Sequence, residues 1–395
     1  MHALTARVTN RLATLRAQDL LRVLDVRGAD QGPTITIGDR AYINFSSNDY
    51  LALAADPGVI AAAADTLQAS GFGSGASPLL SGRHELQHEL ERRIAKFLGF
   101  PAALTFNSGY AANTGTLAAL LQRSDTAYSD RLNHASLIDG VRLSRADSRR
   151  YHHCDPEHLA ALLVEAKPSS TSDTVRMIIT DGLFSMDGDI APLPTLRDLA
   201  HQHQSAMYVD DAHGIGVVGP DGKGSLQASG VAHTDVTVLA GTFGKAFGSA
   251  GAFVTANEEL ISLLFSTART YIFSTALPAV CSATALAALT IIETEPERRE
   301  LLAANVNCFV EEARRLGLPV SSSTHIQPLI VGDAAASLNL SAALADEGFY
   351  VRAVRPPTVP PGGSRLRFSL SAGHTHAQIR SALQAVAHHW ERLRG

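Results

Sequence analysis

The sequence lacks any run of about 18 or more apolar residues, which argues against a transmembrane helix. It has only three cysteines, Cys154, Cys281 and Cys308, and their wide spacing excludes a disulfide framework and indicates a reducing compartment. Neither charge sign dominates, since 33 basic residues stand against 38 acidic ones, so no nucleic-acid or anionic-membrane partner is favoured. We therefore expect a cytoplasmic protein that binds neither nucleic acid nor membranes.

Long polar tracts are also absent, and 45% of the residues are hydrophobic, as in an ordinary globular protein. A chain of 395 residues is too long for one core and predicts two domains with a short extra segment. The patterns predict an N-terminal helix and short strands over 1–49, a large α/β domain over 50–280 and a small α+β domain over 281–395. For the N-terminus, an amphipathic helix is favoured over a transit peptide.

The large domain alternates helical and strand-like patterns. The runs "AALTF", "VRMIIT", "AMYVD" and "VTVLA" are short, apolar and bounded by turn residues, which is typical of strands buried in a largely parallel sheet. The stretches "NSGY", "DGLFSMDGD", "DAHG" and "GTFGK" directly follow them. Because ligands of open α/β sheets bind beyond the carboxyl ends of the strands, these four stretches predict one binding site.

Two motifs suggest other functions. His84 and His88 in "HELQHE" form the H-E-x-x-H spacing of a zinc hydrolase, with Glu85 as the general base. No third ligand follows in a recognisable pattern, so a surface helix without a metal is the favoured interpretation. The stretch "GIGVVG" matches a dinucleotide fingerprint, but "PDGKG" follows it and predicts a turn where that fingerprint needs a helix.

The stretch "TFGKAFG" surrounds Lys245 with glycines, which let a backbone approach a ligand closely. Asp210 ends the apolar run "AMYVD", where an acid is costly unless a cation meets it. Pyridoxal phosphate enzymes need both, a lysine for the Schiff base and an acid for the pyridine nitrogen. A local arginine partner explains Asp210 alone equally well, but the two residues together favour pyridoxal phosphate.

Six segments together resemble the α-oxoamine synthases over about residues 22–371: "NFSSNDYLAL", "NHASLIDG", "FSMDGD", "VDDAHGIGVVG", "TFGKAFG" and "RPPTVPPGGSRLRFSL". The resemblance implies a pyridoxal 5'-phosphate enzyme with the α/β aminotransferase-like fold type I. This fold has a mainly parallel central sheet and a smaller C-terminal α+β domain. "IQPLIVGD" and "AVRPPTVP" are most similar to the members that condense L-alanine with pimeloyl-CoA or pimeloyl-acyl carrier protein in biotin synthesis. The alternatives are 2-amino-3-ketobutyrate CoA ligase (glycine C-acetyltransferase) and 5-aminolevulinate synthase.

The resemblance also implies roles for single residues. Lys245 would form the Schiff base and remove the Cα proton, while His134 would stack on the ring and take part in catalysis. The other cofactor contacts would come from Gly109, Tyr110, Ser185, Asp210, His213 and Thr242. Ser274 and Thr275 would reach the phosphate of the other subunit in a homodimer with its active site at the interface.

The substrates would face Arg22, Asn48, His134, Thr358 and Arg367. Of these, Arg367 would bind the amino acid carboxylate, for which its bidentate geometry suits it. The sequence departs from the family at Pro78, where members commonly have arginine, and at Ala52, where they often have glycine. Pro78 lies in the stretch expected to line the acyl side of the site. This departure therefore affects the prediction of the acyl chain and not that of the cofactor.

Overall fold

A computed structural model describes residues 2–29, 31–165 and 174–394, and the chain divides into two compact units. The large unit comprises Leu51–Ser185 and Asp189–Arg299. The small unit comprises Met1–Tyr50, Met186–Gly188 and Glu300–Gly395. This division differs from the predicted border at residue 281, because the helix over Ala279–Thr294 packs on two helices of the large unit.

The strands of the described residues are β1 (Thr34–Ile37), β2 (Arg40–Asn44), β3 (Ala102–Phe106), β4 (Thr126–Asp130), β5 (Asp147–Tyr151), β6 (Arg176–Asp181), β7 (Ala206–Asp210), β8 (Val238–Thr242), β9 (Ala252–Ala256), β10 (Ile326–Gly332), β11 (Phe349–Tyr350), β12 (Ala353–Val354) and β13 (Ser364–Ser369). The helices are α1 (Ala3–Ala17), α2 (Pro57–Ser70), α3 (Glu85–Leu98), α4 (Gly109–Leu120), α5 (Ala135–Ser144), α6 (Pro156–Glu165), α7 (Leu193–Gln202), α8 (Ser225–Ala228), α9 (Glu258–Thr267), α10 (Arg269–Ile272), α11 (Ala279–Thr294), α12 (Glu297–Arg315), α13 (Ala334–Asp346) and α14 (His376–Arg394). A π-helix covers Pro78–Gly82 and a 3-10 helix covers His233–Asp235.

The large unit is built on a seven-stranded sheet of order β3-β9-β8-β7-β6-β4-β5. Strand β9 runs antiparallel to both of its neighbours, and the other pairs are parallel. All strands except β9 therefore end at the same edge of the sheet. This confirms the predicted α/β class with a mainly parallel sheet.

Strands β6, β7, β8 and β9 are short and mostly apolar because they are buried, whereas the edge strand β5, with the sequence DSRRY, is largely exposed. Ile179 in β6, Tyr208 in β7 and Val254 in β9 are fully buried in one cluster. Side chains from α4 and α5, including Leu117 and Leu137, join the same cluster. Because consecutive residues of these central strands are buried on both faces, their sequences are continuous apolar runs.

Local signals set the helix ends in this unit. Asp56 caps α2 and is followed by a proline at the first helical position. Helix α3 ends at Gly99, which adopts the left-handed conformation with φ 86°. The helix predicted from "HELQHELERRIAKFLG" is thus confirmed.

The small unit contains two three-stranded sheets, of order β1-β2-β11 and β10-β13-β12. Strand β13 is buried along its whole length and pairs antiparallel with β10 and β12. The predicted N-terminal helix is present as α1. Among the described residues, no helix combines the length and the apolar character that crossing a membrane requires.

Ala52 supplies a test of backbone strain. Its φ of 54° lies in the left-handed region, which fits the sequence departure from glycine. We expect Ala52→Gly to stabilise the protein by about 0.5–1 kcal/mol, because the relieved strain of about 1–2 kcal/mol exceeds the added freedom of the unfolded chain. Chemical denaturation measures this difference. Ala55→Gly, at an exposed position without positive φ, is the control and should destabilise the protein. If Ala52→Gly also destabilises the protein, the backbone at Ala52 is not strained.

Candidate active site

A cavity of about 190 Å³ lies in the large unit at the carboxyl ends of β6, β7 and β8. This volume is several times the roughly 30 Å³ that one water molecule occupies in the liquid, so the cavity can hold a larger group. The cavity brings together eight of the ten predicted cofactor residues, which are Gly109, Tyr110, His134, Ser185, Asp210, His213, Thr242 and Lys245. The four stretches predicted to form one site therefore contribute to one cavity.

The amine of Lys245 follows β8 and reaches His213, with 2.7 Å between Lys245 Nζ and His213 Nε2. The turn after the lysine is closed by Gly248, whose φ is 59°. A Cβ at Gly248 would lie 2.3 Å from the backbone nitrogen of Ala54. Glycine is therefore required here for close backbone packing beside the lysine.

Asp210 ends β7 and is almost completely buried. Its carboxylate accepts hydrogen bonds from Asn113 Nδ2 at 2.6 Å and from the backbone N–H of Ala212 at 3.0 Å. Asp181 ends the neighbouring strand directly beside it. Burial and the Asp210 charge raise the pKa of Asp181 well above its usual range. The local arginine that could have explained Asp210 is absent from its contacts among the described residues.

His134 precedes α5 and forms its N-terminal cap. Its Nδ1 accepts a hydrogen bond from the backbone N–H of Ser136 at 3.3 Å and lies 2.7 Å from Ser136 Oγ. Its own backbone N–H donates to Asp181 Oδ2 at 2.7 Å. Burial lowers the pKa of His134; the Asp210 carboxylate opposes this shift, and the Lys245 amine adds to it. The ring is thus held at Nδ1, and the backbone of His134 is held by Asp181.

The N-terminus of α4 supplies the side of the cavity suited to an anion. Ser108 caps this helix, and the backbone N–H groups of Gly109 and Tyr110 precede its first internal hydrogen bonds. Helix N-termini favour anions because these groups and the helix dipole point toward them. Thr242, also predicted for phosphate, donates from its hydroxyl to the Gly251 carbonyl at 2.9 Å.

Ser274 and Thr275 lie between α10 and α11, outside the residues that line this cavity in the described chain. The backbone carbonyl of Thr275 accepts a hydrogen bond from Asn107 Nδ2 at 2.8 Å. Their predicted role concerns another subunit, and it remains a prediction.

The predicted substrate residues belong to the small unit, apart from His134. In the structure, these four residues of the small unit form two hydrogen-bonded pairs. Arg22 donates to Thr358 Oγ1 at 2.9 Å, and Arg367 donates to Asn48 Oδ1 at 3.1 Å. Arg367 is 9% exposed and also donates to Ser369 Oγ at 2.9 Å. These contacts hold the two guanidinium groups in defined positions.

Sequence reasoning missed four residues that line the cavity, namely Asn113, Ser136, Asp181 and Ala212. Asp181 carried a usable signal, since it ends an apolar strand just as Asp210 does. Asn113 lies one helical turn after Gly109, so its position on α4 could have been read from the 3.6-residue period. Ser136 had no signal beyond its closeness to His134.

The two histidines of the H-E-x-x-H spacing make local contacts in the structure. His84 caps α3 by accepting a hydrogen bond from the backbone N–H of Leu86, and His88 Nδ1 lies 3.2 Å from an Arg83 nitrogen. A guanidinium beside an imidazole opposes the binding of a metal cation. One group among the described residues, Asp130, His153 and Cys154, has a spacing that could hold a metal. Both nitrogens of His153 already contact carboxylates, those of Asp130 and Asp189.

Comparison with known proteins gives a consistent result. The family model "Aminotransferase class I and II" matches residues 40–386. The chain is 48% identical to an 8-amino-7-oxononanoate synthase of Anaeromyxobacter dehalogenans, over 95% of this chain and 93% of that protein. It is 45% identical to the protein of the same name from Methylococcus capsulatus, over 95% of this chain and 96% of that protein.

Solved structures of similar fold include an enzyme with the same name as these relatives. A serine palmitoyltransferase variant from S. paucimobilis, with a bound PLP–myriocin aldimine, superposes with a TM-score of 0.93 at 28% identity, covering 100% of both chains. An 8-amino-7-oxononanoate synthase from Francisella tularensis gives a TM-score of 0.76 at 30% identity, covering 89% of this chain and 98% of that one.

His153 yields a test of pH dependence. Burial alone would lower its pKa, but the hydrogen bonds to Asp130 and Asp189 raise it to about 12. A pKa raised on folding stabilises the protein fully below the unfolded value of about 6.5, and the stabilisation declines as the pH rises toward 12. We therefore expect His153→Gln to cost about 3 kcal/mol at pH 6 and progressively less above it.

Urea denaturation at pH 6 and pH 9 measures this change. His152→Gln is the matched control, because its contact with Asp155 is exposed to solvent and contributes little to stability. An equal loss of stability at both pH values for His153→Gln would contradict a charged His153 held between Asp130 and Asp189.

Proposed function

The chain belongs to the aminotransferase class I and II family and, within it, to the α-oxoamine synthases, and from this we propose its reaction. The reaction is the decarboxylating condensation of L-alanine with a pimeloyl thioester to 8-amino-7-oxononanoate, a step in biotin synthesis. The observation that carries the proposal is the cavity that joins Lys245, Asp210 and the N-terminus of α4. Nearly full-length identity of 44–48% to proteins named for this activity supports the choice within the family.

The residues present fit pyridoxal 5'-phosphate, the cofactor of this family. The cavity offers an amine, a buried carboxylate and an anion-binding helix N-terminus, which match an aldehyde, a pyridinium nitrogen and a phosphate. A Cβ at Gly109 would meet no atom within 4 Å, so the entrance of α4 is open to a ligand. We assign Asp210 to the pyridine nitrogen, and Gly109, Tyr110 and Thr242 to the phosphate.

When bound, this cofactor withdraws electrons from the Cα of alanine and so stabilises negative charge there. Lys245 would hold the cofactor covalently and then move the proton at Cα, for which the glycine-lined turn leaves the amine room. His213 lies against the Lys245 amine and can accept its hydrogen bond. Together with Ser185, His213 is also assigned to the phenolic oxygen.

The small unit would supply the substrate contacts. Arg367 would bind the alanine carboxylate, since a guanidinium held by Asn48 and Ser369 presents its fork in a fixed direction. Arg22 and Thr358 would contact the acyl substrate. The alanine Cα would attack the thioester carbonyl, so that the new C–C bond forms as the thiol leaves. The carboxylate would then leave as carbon dioxide, and a proton would be added at Cα.

We also propose a homodimer in which Ser274 and Thr275 contact the phosphate bound by the partner. Support comes from adjoining surface segments of the large unit, where Ser74 Oγ donates to the Ala276 carbonyl. Phe72 and Phe273 on these segments are 68% and 71% exposed. Large exposed aromatic side chains of this kind suit a subunit interface. The three free thiols support a reducing compartment such as the cytoplasm.

Purified protein supplied with the cofactor, L-alanine and pimeloyl-CoA or pimeloyl-acyl carrier protein should form 8-amino-7-oxononanoate and carbon dioxide. Borohydride reduction and peptide mapping should find the cofactor attached at Lys245. Lys245→Ala should form no measurable product, whereas Lys223→Ala, outside the cavity, should remain active. A reaction only with glycine and a short acyl-CoA would identify a sister activity instead.

Arg367→Lys tests the carboxylate site. We expect the KM for alanine to rise about tenfold to a hundredfold with a smaller change in kcat, because lysine cannot reproduce a bidentate contact worth about 1.5–3 kcal/mol. Steady-state kinetics at saturating thioester measure both constants. Arg365→Lys is the control on the same strand, since Arg365 pairs with Asp187 at 2.5 Å. An unchanged KM for alanine in Arg367→Lys would remove this assignment.

A further inference from the structure

A continuous hydrogen-bonded chain crosses the interior of the large unit beside the cavity. Tyr208 Oη donates to Asn113 Oδ1 at 2.8 Å. Asn113 Nδ2 lies 2.6 Å from Asp210 Oδ2 and 2.8 Å from Ser136 Oγ. Ser136 Oγ in turn lies 2.7 Å from His134 Nδ1. Asn113, Ser136 and Tyr208 are each at most 1% exposed, so the chain is shielded from solvent.

Chemistry fixes the direction of every hydrogen in this chain. The Asp210 carboxylate has no hydrogen to donate, so the Asn113 amide must turn its NH₂ group toward it. The same nitrogen faces Ser136, and its second hydrogen is therefore donated to the Ser136 hydroxyl oxygen. The amide oxygen is left to accept from Tyr208. Burial and the Asp210 charge keep the pKa of Tyr208 well above its usual range, so its hydroxyl retains the hydrogen that it donates.

The direction continues to His134. With the Ser136 oxygen accepting from Asn113, the Ser136 hydrogen is available to His134 Nδ1. The Ser136 backbone N–H also points at this nitrogen, at 3.3 Å. A backbone N–H can only donate, so Nδ1 must carry a lone pair and no proton. In a neutral imidazole, the hydrogen then lies on Nε2.

The charges around the ring fit a neutral imidazole. Burial lowers the pKa of His134, the Asp210 carboxylate acts in the opposite direction, and the Lys245 amine lowers it further. Asp181 approaches through its contact with the His134 backbone N–H and does not hydrogen-bond the ring in the described structure. The charged neighbours of the ring are thus these two acids and one amine.

We infer that the chain from Asp210 through Asn113 and Ser136 holds His134 as the neutral Nε2–H tautomer. Asn113 and Ser136 are positioning residues that act through His134 and Asp210. The tautomer does not rest on the proposed function.

Nitrogen NMR of the cofactor-free protein, labelled with ¹⁵N-histidine, tests the tautomer directly. The His134 signals are assigned by their loss in His134→Gln. At pH 7 the wild-type protein should show an unprotonated Nδ1 and a protonated Nε2. In Ser136→Ala, loss of one donor to Nδ1 should raise the His134 pKa by about 0.5–1 pH unit, the equivalent of one hydrogen bond.

Ser144→Ala is the matched control, because Ser144 is a buried serine of the same helix whose hydroxyl donates to the Val141 carbonyl. It should leave the His134 signals unchanged. A proton on Nδ1 of the wild-type protein at pH 7, or an unshifted His134 titration in folded Ser136→Ala, would overturn the inference. These outcomes are independent of turnover: a protein that failed to condense alanine would still show the tautomer, and a proton on Nδ1 would not decide whether alanine is condensed.

Discussion

The buried carboxylate of Asp210 is the constraint on which the candidate site depends. A carboxylate at the end of an apolar strand needs hydrogen-bond donors in place of water. Here it has two donors in the described residues, one from Asn113 on α4 and one from the backbone at Ala212. Helix α4 therefore holds the Asp210 carboxylate through Asn113 and also places its N-terminus at the cavity. A single helix thus links the two groups that we assign to the pyridine nitrogen and the phosphate of the proposed cofactor.

The same requirement explains the concentration of polar groups at one edge of an otherwise apolar sheet. Asp181 and Asp210 occupy paired positions on neighbouring strands, and both are nearly inaccessible to solvent. Two carboxylates so close together would repel each other, and burial together with this repulsion raises the pKa of Asp181. Buried polar groups are tolerated when each has partners: the His134 backbone N–H donates to the Asp181 carboxylate, and the Asn113 amide donates to the Asp210 carboxylate.

Much of this arrangement followed from sequence patterns. Apolar runs ending in Asp or in a glycine-rich stretch gave the sheet, its ligand-binding edge and the pair Lys245 and Asp210. Asn113 and Ser136 did not follow, since an asparagine within a helix and a serine after its cap are common and have many uses. The H-E-x-x-H spacing of His84 and His88 illustrates the opposite case. The motif is present, but each imidazole contacts a residue close to it in the chain.

The sequence by itself determined the class of fold, the family and the residue types of the site, because periodicity, strand-end residues and motif spacing are properties of the linear chain. The tertiary structure decided which of these residues meet and which way their hydrogens point. Asn113 and Asp210 are separated by 97 positions in the chain, and only the packing of α4 against the sheet brings them to 2.6 Å. Hydrogen-bond direction depends on such contacts between distant residues, and no local pattern encodes it.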